Sequence, residues 1–116
     1  MELRIHRADE QISHLALAGR LDLAGVQQIE MAFTVQTATR KKPTIVDVAE
    51  VTYLSSLGVR MLLGAAKALH GHGHKLVLLN PQPMILEVLQ LGGLDGVIGI
   101  ETDLDAALTA AGLAKV

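Results

Sequence analysis

The amino-acid sequence predicts an α/β fold: a mixed, mostly parallel β-sheet with helices packed on it, formed as a single domain over residues 1–116. Three observations carry this expectation. A strand–helix–strand unit occupies residues 44–79, with an apolar β-type run at each end and apolar residues at helical spacing between them. Two β-type runs open the chain around a polar turn, the pattern of a hairpin. Apolar residues make up 50% of the chain, yet Phe33 and Tyr53 are its only aromatics. The core must therefore be built from Leu, Val, Ile, Ala and Met, as in helices layered on a sheet.

The hairpin strands are expected at residues 3–5 and 12–18, joined by Ala8-Asp9-Glu10-Gln11. After Gly19-Arg20-Leu21-Asp22, the residues Val26, Ile29 and Phe33 share one face of a helix expected over about residues 24–39. Arg40-Lys41-Lys42 reads as its solvated end, where cations complement the helix dipole. Pro43 precedes a central strand at residues 44–48. A second helix, from about Leu57, turns Val59, Leu62, Leu63, Ala66 and Leu69 inward and ends at His70-Gly71-His72-Gly73, where glycine suits a left-handed cap. Residues 75–79 form the next strand, parallel to the central one because a helical crossover joins them. Pro83 suits the first turn of a third helix carrying Ile85, Val88 and Leu89, closed by Gly92-Gly93. A last strand is expected at residues 97–100, and Thr102-Asp103-Leu104-Asp105 opens a C-terminal helix with Ala107, Leu108 and Ala111.

Composition removes several classes of function. Without cysteine there is neither a disulfide nor thiolate chemistry. The apolar runs fall far short of the ~20 residues that span a bilayer, and no signal-peptide apolar region follows Met1, so the chain reads as soluble and cytoplasmic, without direct membrane insertion. A net charge of −2 with scattered cations argues against nucleic acid as a partner. No Gly-x-Ser-x-Gly elbow, Gly-rich phosphate loop or paired-carboxylate cleft is present, so no catalytic residue and no cofactor is assigned. His70, His72 and His74, spaced by two across glycines, read as a turn rather than a metal site, and His6 and His14 as strand-surface residues.

The functional candidate is the junction between the central strand and the second helix, where Ser55 and Ser56 stand together. Backbone N–H groups at a helix start lack helical partners and the aligned peptide dipoles leave partial positive charge there, so a phosphate on Ser56 would be accommodated. The plain alternative is that Ser55 is an N-cap worth ~1 kcal/mol and Ser56 an ordinary first-turn residue. Leu57, Arg60, Met61 and Gly64, with Lys67, lie on the helix face away from the core and form a candidate docking strip for a partner. Replacing Met61 with Asp is expected to abolish partner binding at little cost to stability. Asp22 and Glu50 are expected near the helix start, where they would make a phosphorylated surface strongly negative.

With the elements placed, Gly19-Arg20-Leu21-Asp22 resembles a Gly-x-Leu-Asp family motif, and Ile45-Val46-Asp47-Val48 with Val51-Thr52-Tyr53-Leu54-Ser55-Ser56-Leu57-Gly58 resembles that family's phosphorylation segment. Together with the Leu-x-x-Gly-Gly-Leu end of the third helix, the ordered set resembles a STAS domain of the stand-alone anti-sigma factor antagonist type over essentially the whole chain. The resemblance implies binding to an anti-sigma factor that is also a serine kinase, which releases a sigma factor for transcription. It implies that phosphorylation ends the complex and that a serine phosphatase restores it. The acceptor carries over to Ser56, with Ser55, Asp22, Glu50 and Gly58 as its neighbours. Ser55 stands where the family commonly has Asp, and Leu57 where it commonly has Ser or Thr. Two outcomes stay open at this point: a phosphorylation-switched regulator with a divergent site, or a constitutive STAS scaffold or soluble subunit of a stress-signalling or lipid or anion transport assembly.

Overall fold

A computed structural model describes residues 1–113. One sheet of five strands runs in the order β1 (Glu2–Ala8), β2 (Ser13–Leu21), β3 (Thr44–Leu54), β4 (Leu76–Leu79) and β5 (Gly99–Glu101). β1 pairs antiparallel with β2, and β2 to β5 are parallel to one another, so the mixed, mostly parallel sheet follows the expected α/β pattern. The helices are α1 (Leu23–Thr34), α2 (Ser56–His70), α3 (Pro83–Leu91) and α4 (Leu104–Ala110). Leu15, Leu17, Val46, Val48 and Leu78 of the sheet bury against Phe33 of α1, Leu62 and Leu69 of α2, and Ile85 and Leu89 of α3. A smaller cluster joins Ile45, Val77 and Leu79 to Ala107 of α4. Its sheet residues alternate with those of the main core along β3 and β4, as side chains on opposite faces of a pleated strand must.

The structure differs from the sequence expectation in ways that have local causes. β3 is much longer than residues 44–48, because beyond Asp47 it leaves β4 and continues against β2 alone as far as Leu54. Exposed Glu50, Thr52 and Tyr53 break the apolar run that marks a fully covered strand, and with it the sequence signal. α1 passes into a π-helical turn at Val35–Thr39, where the buried Thr37 hydroxyl donates to the Phe33 carbonyl at 2.8 Å. A side chain bonding back four residues competes with the helical ladder and loosens it. The last strand is Gly99–Glu101 rather than residues 97–100, since Gly93 takes a left-handed conformation and a 3-10 turn over Leu94–Gly96 follows, leaving Val97 exposed. Arg40 is not a solvated helix end: its Nε donates to Ser13 Oγ at 2.8 Å and its Nη2 to the carbonyls of Asp9 and Ile12, tying the end of the α1 segment to the hairpin turn.

Extension of the β2–β3 ribbon past the rest of the sheet positions the candidate site. Leu21 and Leu54 are partners in the last rung of the parallel ladder. The chain therefore leaves two neighbouring strands at the same end of the sheet, one into α1 through Asp22 and the other into α2 through Ser55.

Candidate functional site: the start of α2

Ser55 is the N-cap of α2 and its hydroxyl is used twice. Oγ accepts from the Gly58 N–H at 3.2 Å and donates to the Leu21 carbonyl at 2.6 Å, while the Ser55 N–H reaches the same carbonyl at 3.0 Å. Ser55 thus locks the helix start onto the end of β2. Ser56, the first residue of α2, is exposed, and among the described residues its side chain has no hydrogen-bond partner. The two adjacent serines accordingly differ: the first is consumed by structure and the second is available at the positive end of a helix of 15 residues.

Gly58 is required by how closely α2 approaches the sheet. A Cβ at this position would lie 2.8 Å from Leu54 Cδ1 and 3.0 Å from both Cβ and the carbonyl oxygen of Leu21. Only glycine lets the first turn of α2 sit on these two strand ends without displacement.

The residues of the expected docking strip come together with a second helix. Leu57, Arg60, Met61 and Gly64 form one wall of a shallow groove of about 380 Å³, whose other wall is α1 and its π-helical end, including Glu30, Phe33 and Thr37. Leu57 is 38% exposed, and a side chain built at Gly64 meets nothing within 4 Å. Met61 differs from the expectation, being half-buried and packed against the main core, so an Asp there would disturb the fold as well as the surface. On the inward face of α2, Leu62, Ala66 and Leu69 are buried as expected, joined by Ala65, whereas Val59 and Leu63 are only partly covered.

Asp22 lies at the same sheet end, as the N-cap of α1. Its Oδ1 accepts from the Gly25 N–H at 2.8 Å and its Oδ2 from Arg20 Nε at 3.3 Å. The Gly25 amide first, and the Arg20 contact after it, hold the carboxyl below its ordinary range. The Arg20 guanidinium in turn sits 4.3 Å above the Tyr53 ring. Glu50 is not at the helix start. It lies inside β3, paired with Ala18 and 3.8 Å from Arg4, four residues and hence about 13 Å of strand before Leu54.

The histidines also diverge from a uniform surface role. His14 is half-buried with its ring centroid 5.0 Å from that of His6, and desolvation, then the neighbouring His6, lowers its pKa. At the far end of α2 the His72 N–H and His74 N–H both bond the Leu69 carbonyl at 2.9 Å, so the histidine-glycine segment wraps the helix terminus.

A family model described as Mlab, STAS domain matches residues 6–111. The chain belongs to the STAS domain family. Among curated proteins this STAS domain is 26% identical over 110 residues to BtrV of Bordetella bronchiseptica, named as an anti-sigma factor antagonist, covering 95% of this chain and 94% of that protein. Among solved structures it resembles an anti-sigma-factor antagonist (STAS) domain protein from Planctomyces limnophilus, with a TM-score of 0.81 at 19% identity over 95% of this chain and 97% of the other. It also resembles the anti-sigma factor antagonist SpoIIAA in its unphosphorylated form, with a TM-score of 0.76 at 23% identity over 98% and 100% of the two chains. At these identities the structural likenesses concern the fold. No helix among the described residues is long and apolar enough to cross a membrane.

Sequence reasoning missed the α1 wall of the groove, the Arg20–Tyr53 contact and Gly25, whose Cβ would fall 1.9 Å from the Arg20 carbonyl oxygen. A signal for Gly25 was present. Leu21-Asp22-x-x-Gly25 and Leu54-Ser55-x-x-Gly58 repeat one pattern of strand end, cap and glycine.

Proposed function

We propose that this single STAS-like domain is an anti-sigma factor antagonist of the cytoplasm, which binds an anti-sigma factor with serine kinase activity and so releases a sigma factor for transcription. The site is the start of α2. The observation that carries the reading is the division of labour between the two serines: Ser55 holds the junction with both its donor and its acceptor, and Ser56 presents an uncommitted hydroxyl beside the α1–α2 groove. Leu57, Arg60, Met61 and Gly64 contact the partner. Phosphorylation of Ser56 adds about −1.5 to −2 charges at the edge of that surface, at the same sheet end as the carboxylate of Asp22, while the first-turn amides accommodate the phosphate. The fold survives and the complex does not. A serine phosphatase reverses the step. We read the protein as a binding module rather than an enzyme, in keeping with relatives named as anti-sigma factor antagonists.

One observation favours a second reading. Ser55, in the place of the family's usual Asp, is neutral and hydrogen-bonded at both ends, so no carboxylate adjoins the acceptor from within the segment. A kinase that requires one would leave the protein a constitutive scaffold or a soluble subunit of a larger assembly.

Native purification followed by partner identification tests the reading. An anti-sigma factor kinase is expected with the wild type, and it should be lost with Ser56→Asp and with Gly64→Gln. The glutamine enters open space and fills the groove, and it replaces a helical glycine that costs roughly 0.5–1 kcal/mol relative to alanine, so the variant should fold. Co-purification of a membrane transporter component in place of the kinase would overturn it.

A further inference from the structure

A second concavity lies at the other end of α2. It is a cleft of about 640 Å³ between the last turn of α2, the loop into β4 and the 3-10 turn before β5. That size falls within the range of small-molecule sites, roughly 300–1,000 Å³. The cleft takes in α2 from Ala66 onward, about 15 Å or more along the helix from Ser56, and shares no lining residue with the groove described above.

The cleft combines an apolar wall with a cationic rim. Val97, 57% exposed, is the open part of the wall, and the buried Ala66, Leu76 and Ile98 back it. Lys67 and Lys75 lie on the rim with the imidazoles of His70 and His74, against one acid, Asp95. Among the described residues neither lysine forms an ion pair. The terminal carbonyls of Lys67, Leu69 and His70 are already bonded by the N–H groups of Gly71, His72 and Gly73 at 2.9–3.1 Å, so they do not need the lysine ammonium groups as partners. An uncharged apolar occupant would leave the two ammonium groups unanswered, and a purely inorganic anion would leave the wall wet. We propose that this cleft binds a small organic carboxylate with an apolar chain, the chain along the Leu76–Val97 wall and the carboxylate between Lys67 and Lys75. The histidine-glycine segment, with no role at the Ser56 end, contributes His70, Gly71 and His74 to the lining of this second site.

Octanoate titrated into the full chain, followed by amide chemical shifts, tests it. Saturable binding is expected, with perturbations confined to residues lining the cleft. Acetate, which lacks the chain, and 1-octanol, which lacks the charge, should each bind at least tenfold more weakly. Two variants separate the components while melting temperature reports folding. Lys67→Glu with Lys75→Glu should weaken octanoate at least tenfold by reversing the rim charge. Gly96→Leu should abolish binding by filling the cleft: a side chain at Gly96 meets nothing within 4 Å, and its backbone lies outside the left-handed region. Absence of saturable binding, equal binding of 1-octanol, indifference to both variants, or perturbations centred on the α1–α2 groove would each overturn the proposal.

Discussion

The two strand-to-helix junctions at the ends of β2 and β3 are built on one plan and charged differently. Each strand ends in a buried leucine, Leu21 or Leu54; a cap follows, Asp22 or Ser55; and the cap accepts the amide of a glycine three residues on, Gly25 at 2.8 Å or Gly58 at 3.2 Å. In each case the glycine presses on the end of β2. At the α1 junction the cap is a carboxylate in contact with Arg20, and the next residue is the apolar Leu23. At the α2 junction the cap is a neutral hydroxyl that also donates to Leu21, and the next residue is the free Ser56. The same local geometry thus gives one junction that carries a carboxylate and another that carries an exposed hydroxyl, the one proposed above as the phosphate acceptor.

The glycines should show the largest effects and rank the two junctions. Gly25→Ala forces a Cβ to 1.9 Å from a backbone oxygen, which cannot swing aside, and should cost about 3 kcal/mol or more. Gly58→Ala meets a leucine methyl at 2.8 Å and Leu21 at 3.0 Å, and should cost about 1–3 kcal/mol. Denaturant midpoints check this order, and equal losses would mean that the 1.9 Å approach at Gly25 is relieved as readily as the 2.8–3.0 Å approaches at Gly58. Ser55→Ala comes next, with a loss of about 1 kcal/mol for the cap, partly limited because the residue-55 amide still reaches Leu21.

Asp22→Asn should give the smallest change and differ from the others in its pH dependence. Asparagine caps about as well as aspartate, so stability near neutral pH should barely move. The native carboxyl is held below the ordinary aspartate range, so its contribution is present above that range and is lost as pH falls through the lower, folded pKa. In acid unfolding series the variant should therefore lose less stability than the wild type below about pH 4. Identical acid limbs would remove charge from the account of the α1 junction.

How much of this was legible follows from the same residues. Strand–helix–strand order, the buried stripe of α2 and the Ser55–Ser56 junction are local patterns of apolar spacing and capping, and the sequence displays them directly. The full reach of β3 was hidden because it depends on which neighbour covers each rung: only β2 accompanies residues 48–54, so their exposed side is polar. Arg40 read as a helix end because its partners, Ser13 and the Asp9 and Ile12 carbonyls, are nearly thirty residues away in the chain. Glu50 reads as a neighbour of Ser56 because the apolar run breaks after residue 48; six more residues of β3 carry the serines away from it. The groove needed two helices, and a single helix face showed only half of it.

The central claim is that Ser56, and not Ser55, is the residue through which this surface is switched. Intact-mass and peptide mass spectrometry of the protein isolated from its own cells, beside a Ser56→Ala variant, tests it most directly. One phosphate is expected, localised to Ser56 and absent from the variant. An unmodified protein under both growth and stress, or a phosphate on Ser55, would contradict it.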